Sequence, residues 1–120
     1  MIDLAEHYGA GRVKLPDICL RKSIPRKYLE QIFSQLKGAG YIRSARGPTG
    51  GYRLARSPSK TSVAEVVRLI DGAIAPVESV SKHFYDHTPI EANRKLLNVF
   101  KEIRDHASRK LEGTRLSHLI

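Results

Sequence analysis

Between Arg21 and Arg56 the chain carries nine lysines and arginines (Arg21, Lys22, Arg26, Lys27, Lys37, Arg43, Arg46, Arg53, Arg56) and one acid, Glu30. These residue types suit a polyanion whose bases are also read. Arg and Lys match guanine acceptors or phosphate oxygens, Gln31 matches adenine, and a glutamate accepts from cytosine N4. The charge is concentrated. Residues 1–60 hold twelve Lys/Arg against four Asp/Glu, a net +8, while residues 61–120 hold nine against eight, a net +1. An excess serving only solubility would be spread evenly, so the +9 total points to a partner for the first half.

The elements that must position these groups can be read from periodicity. Leu29, Ile32, Phe33 and Leu36 recur at i, i+3, i+4, i+7, which predicts a helix from Pro25 with that stripe buried. Arg26, Lys27, Glu30, Gln31 and Ser34 then face outward. A preceding helix begins near Leu15-Pro16, with Ile18 and Cys19 on its inner face, and ends near Lys22. The connection Lys22-Ser23-Ile24 has the length of the turn in a helix-turn-helix. Gly38 and Gly40 stop the second helix. Tyr41 to Arg46 and Tyr52 to Ala55 alternate as two strands around Gly47-Pro48-Thr49-Gly50-Gly51. Such a tip, with Arg46 at its base and Arg53 beyond, suits a minor groove or a phosphate. A nucleotide-cradling loop would instead lead into a helix and carry Lys-Ser/Thr.

The flanks read as support. Met1 to Tyr8 ends a short apolar helix stripe, and Val13 reads as a short strand. Ser62-Val63-Ala64-Glu65 has capping-box spacing, with Val63, Val66, Val67 and Ile70 as core face up to Gly72. Thr88-Pro89-Ile90-Glu91 predicts the start of a second capped helix, over twenty residues long, running to about Glu112. Leu96, Phe100, Ile103, Ala107 and Leu111 form its apolar face, with Ile90, Leu97 and Val99 widening it. A domain of ~75 residues cannot cover so long a face, so packing against a second copy is expected. The fold expected is mainly α with a small β-hairpin wing. Residues 1–72 form a winged helix-turn-helix domain with a truncated first helix, 73–88 a connector, and 89–120 a dimerisation helix with a short terminal helix.

With these residues placed, the chain resembles the IscR/NsrR/CymR-type winged helix regulators of bacteria (the Rrf-two family). The resemblance rests on Tyr28-Leu29-Glu30-Gln31 opening the recognition helix, Leu36 and Gly40 closing it, and Arg46-Gly47-Pro48-Thr49-Gly50-Gly51-Tyr52-Arg53-Leu54 in the wing. It continues through Val63–Gly72 and the long helix. It implies a homodimeric, sequence-specific regulator of transcription, usually a repressor. Carried over by position, the resemblance implies that Tyr28, Glu30 and Gln31 would meet the major groove and Arg46 the minor groove. The expected DNA-contacting set is Arg26, Lys27, Tyr28, Glu30, Gln31, Arg43, Arg46, Gly47, Thr49 and Arg53.

Three departures from the family pattern stand out. Many members hold an iron–sulfur cluster on three cysteines before the long helix, whereas Ala73–Pro89 contains none. No cofactor is therefore expected. The first helix normally begins about a dozen residues earlier, and Ser23 stands where the turn usually has glycine. Gly72-Ala73-Ile74-Ala75-Pro76-Val77-Glu78 resembles the cysteine-free branch containing CymR. That branch implies a role in cysteine metabolism with O-acetylserine thiol-lyase as protein partner.

Other chemistries are weaker readings. His83, Asp86 and His87 offer a metal or small-ligand sensor as an alternative, His83 and His87 being four residues apart. A solvated polar connector accounts for them better, because the segment precedes the helix start. Cys19, on an inner helix face, reads as a buried small side chain rather than an exposed, redox-sensing thiolate. No nucleophile stands with a His and an acid in a recognisable motif, so no enzyme is expected. No apolar run approaches a membrane span and a lone cysteine builds no disulfide, so a cytoplasmic location is expected.

Overall fold

The structure is a computed structural model that describes residues 1–75 and 89–120. The His83, Asp86 and His87 candidates and most of the expected connector lie outside the described residues. The described elements are α1 (Ile2–Glu6), α2 (Leu15–Lys22), α3 (Arg26–Gly38), β1 (Ile42–Ala45), β2 (Gly51–Leu54), α4 (Val63–Ile70) and α5 (Arg94–Glu112), with short 3-10 turns at Pro58–Lys60, Pro89–Ala92 and Leu116–Leu119. Two compact units form: residues 1–61 with 115–120, and residues 62–114. The units meet at Thr61/Ser62 and Thr114/Arg115, so the final six residues belong to the first unit. Leu116 N–H donates to the Thr61 carbonyl at 3.0 Å, and Leu116 is buried, which ties the chain's end to the first unit.

The core of the first unit follows the apolar periodicities. Leu29, Phe33 and Leu36 of α3 are buried with Leu15 and Ile18 of α2, Leu4 and Ala5 of α1, and Ile42 and Leu54 of the hairpin. Ile32 and Cys19 are only half-buried, because at 100° per residue each sits at the edge of its stripe. The short α1 could not persist alone. It is held by Asp3, 4% exposed, which accepts from Arg21 of α2 in a two-pronged contact: Nη2 to Oδ1 at 2.8 Å and Nε to Oδ2 at 2.9 Å.

The turn between α2 and α3 places Ser23 at φ 52, ψ 43, the only non-glycine with positive φ among the described residues. Its N–H returns to the Cys19 carbonyl, closing α2 in a left-handed cap. Glycine adopts this geometry at no steric cost, whereas serine carries a Cβ against the backbone.

In the second unit Ser62 caps α4, accepting from Glu65 N–H at 3.2 Å. The Thr88-Pro89 start is corrected. Pro89–Ala92 makes a 3-10 turn, and the helix proper begins at Arg94 with Asn93 as cap, its side chain accepting from Leu96 N–H at 3.1 Å. The helix is thus 19 residues long, shorter than the spacing suggested. Asparagine is a strong N-cap, but Asn93 lacks the Glu three residues on that makes a capping box legible.

Two outcomes follow. The Asp3 carboxyl is held below its ordinary range, chiefly by the Arg21 hydrogen bonds and then by Arg21's charge, against the opposing effect of burial. A carboxyl with a depressed native pKa stabilises the fold above its unfolded value of about 3.9, and that stability is lost as pH falls through the native pKa. Asp3→Asn is expected to cost about 1–3 kcal/mol at pH 7 in urea titrations and to flatten the acid limb below about pH 4. Arg21→Met leaves the carboxylate buried without its main partner. It should cost more at pH 7 and recover part of the loss on acidification. Separately, Ser23→Gly should raise stability by about 0.5–1 kcal/mol, and no change in the urea midpoint would contradict the strain.

Candidate nucleic-acid interface

The candidate surface is built from α3 and the hairpin, both in the first unit. β1 and β2 pair antiparallel with Ile42 opposite Leu54, Arg43 opposite Arg53, Ser44 opposite Tyr52 and Ala45 opposite Gly51. Period-2 alternation turns Ile42 and Leu54 into the core and leaves Arg43 and Arg53 exposed. Two like charges directly opposite on one face destabilise a sheet, so the exposed side of the hairpin carries two unshielded neighbouring cations.

The hairpin is fixed to α3 through Tyr52. Its ring meets Phe33 edge-on, with centroids 4.7 Å apart and planes at 72°. Its backbone exchanges two 2.7 Å hydrogen bonds with Val13, where the short strand expected from sequence is reduced to a single bridging residue. Gly51 permits this, since a Cβ there would lie 2.6 Å from the Val13 carbonyl oxygen. Gly50 permits the tip, where a Cβ would collide with the Ala45 carbonyl, and its N–H donates to Gly47 O at 2.9 Å. The glycines of the wing thus serve its shape. At the hairpin base Arg56 lies over the Tyr41 ring, 5.4 Å from its centroid.

On this frame, Arg26, Lys27, Tyr28, Glu30 and Gln31 are all exposed along α3, and Arg43, Arg46, Gly47, Thr49 and Arg53 are exposed on the wing. Tyr28 is 57% exposed. Arg26 and Glu30 are paired, Nε to Oε1 at 3.1 Å. Sequence reasoning did not foresee that Arg21, one of the nine cations, is committed to Asp3. The i to i+18 separation leaves no local signal for such a pair.

The five residues named for α5 are not alike. Ile103 is 48% and Leu96 41% exposed, while Phe100, Ala107 and Leu111 are half-buried in the second unit. Asp3, Glu6 and His7 also gather with possible ligand atoms within 4.8 Å of one another. Arg21 already occupies both Asp3 oxygens, and His7 Nδ1 lies 2.7 Å from the Asp3 carbonyl oxygen. The cluster is therefore an anchor for α1 more than a metal cage.

The family model Rrf2, iron-dependent transcriptional regulator, matches residues 1–120. The transcriptional regulator CymR of Bacillus subtilis is 35% identical over 119 residues, 99% of this chain and 80% of that protein. IscR of Aliivibrio salmonicida is 45% identical over 74 residues, 62% of this chain and 44% of that one. The structure of B. subtilis CymR (YrzC), the global cysteine regulator, superposes with a TM-score of 0.77 at 31% identity, covering 98% of this chain and 84% of that chain. These relatives are regulators, not enzymes. The iron of the family description asks for ligands, and a cluster held by three thiolates does not fit a chain whose one thiol, Cys19, sits half-buried in α2. With its whole length matched and the helix-turn-helix and wing in place, this chain belongs to the Rrf2 family of DNA-binding transcriptional regulators.

Proposed function

We propose that the chain is a sequence-specific repressor acting as a homodimer on double-stranded DNA in the cytoplasm, without an iron–sulfur cluster. The observation that carries this is the exposed row Tyr28, Glu30 and Gln31 on α3, held by Phe33–Tyr52 in fixed relation to Arg46 on the wing. An α-helix fits the major groove, where Gln and Glu discriminate bases, while Arg favours a narrow minor groove. Arg43, Arg53 and Lys27 supply phosphate contacts.

Dimerisation is supported by the second unit. Among its described residues only Ser62, Ala64 and Ser108 are fully buried, and all are small. Leu96, Val99 and Ile103 of α5 stay 41–49% exposed. A row of large apolar side chains left in water at this spacing favours association with a second identical face. Two copies would then present two recognition helices to half-sites about one helical turn apart, roughly 34–36 Å.

The similarity to CymR over nearly the whole chain favours a role in cysteine metabolism, and the resemblance to that branch suggests a protein co-regulator such as O-acetylserine thiol-lyase. Selection of bound duplexes from a random library should yield one operator, bound with steep salt dependence from counterion release. Glu30→Ala or Arg46→Ala should cost about 1–3 kcal/mol on that operator and relax one position of the selected sequence. Failure to enrich any sequence would overturn specific recognition, and a thiol-lyase that leaves operator affinity unchanged would remove that partner. For the dimer, Ile103→Glu should sediment as a monomer at concentrations where the wild type is dimeric. A monomeric wild type would sink the proposal.

A further inference from the structure

Glu30 poses an electrostatic problem, and the side chain one turn before it offers a solution. It is the only acid among nine cations from Arg21 to Arg56, and it lies exposed on the helix meant for the groove. A bare carboxylate brought against two phosphate backbones is repelled, and the repulsion grows as water leaves the interface. Arg26 lies four residues earlier, with Nε 3.1 Å from Glu30 Oε1.

Helix stability gives little reason for this pair. Arg preceding Glu at i, i+4 is the less favourable order, and Arg26 stands in the first turn of α3, where the helix dipole disfavours a cation and no acid is present. The side chains are 69% and 53% exposed, so in water the contact contributes only slightly to the fold. On DNA the balance changes, because the same contact would be desolvated and strengthened. It engages one carboxylate oxygen and one guanidinium nitrogen. A carboxylate accepts on both oxygens and a guanidinium has five donors, so acceptor capacity is left for a base and donors for a phosphate.

We propose that Arg26 is a positioning residue for base reading by Glu30. It neutralises and aims the carboxylate, so that Glu30 acts as a selector for a cytosine amino group instead of a uniform penalty against all DNA. The inference rests on the DNA-reading role proposed for α3 and adds a dependence of one side chain's specificity on another.

The test is duplex selection and competitive binding with the full chain as wild type, Arg26→Ala, Arg26→Lys, Glu30→Ala and the double variant, together with thermal melts. Arg26→Ala should lose preference at the base pair that Glu30→Ala also affects, by roughly 5- to 150-fold, the range of a single base contact. The double variant should show no further loss at that position, Arg26→Lys should retain part of the preference, and all melts should agree within a degree or two. If Arg26→Ala weakens every sequence equally with the preference intact, Arg26 is a phosphate contact only and the inference is overturned. A lowered melting temperature would overturn it in favour of a structural role. If the wild type itself selects no sequence, the DNA-reading role and this inference fall together, a result distinct from the other two.

Discussion

The edge-on contact of Phe33 with Tyr52 is the joint on which the surface depends. One ring belongs to the buried stripe of α3 and the other to the inward face of β2, so the exposed residues of the helix and those of the wing share one rigid element. Aromatic pairs at this distance contribute about 0.5–1.5 kcal/mol beyond the area they bury. Their larger effect here is geometric. Tyr52 also carries both backbone bonds to Val13, so three segments distant in sequence are fixed by a single residue.

Charge is distributed over this frame with different purposes. Arg43 and Arg53 face each other across the hairpin and repel, which costs the isolated protein a little. Arg21 is turned to Asp3 and Arg56 to the Tyr41 ring, so at least two cations of the basic stretch serve the fold. Counting charges along the chain therefore overstates how many are offered to a partner.

Much of this was legible in the sequence for physical reasons. The 3.6-residue stripe of Leu29, Phe33 and Leu36 fixed which side of α3 would be outward, and the Gly-rich tip between alternating runs located the hairpin. What escaped were features without a local pattern. The Asp3–Arg21 pair spans eighteen residues, and the Asn93 cap overrode a Thr-Pro start that looked equally good. The return of residues 115–120 to the first unit depends on a backbone bond to Thr61. The site's residue types could be read directly, and the i, i+4 spacing of Arg26 and Glu30 permitted the pair, but spacing alone did not settle that the two side chains meet.

The one-residue strand at Val13 has a consequence for solubility. By donating to and accepting from Tyr52, it occupies the backbone groups at the outer edge of β2. A two-stranded hairpin with an open edge is a template onto which another extended chain can add. Val13 closes the middle of that edge from within the same chain, and Gly51, which admits it, guards against fibre-like pairing as well as shaping the wing.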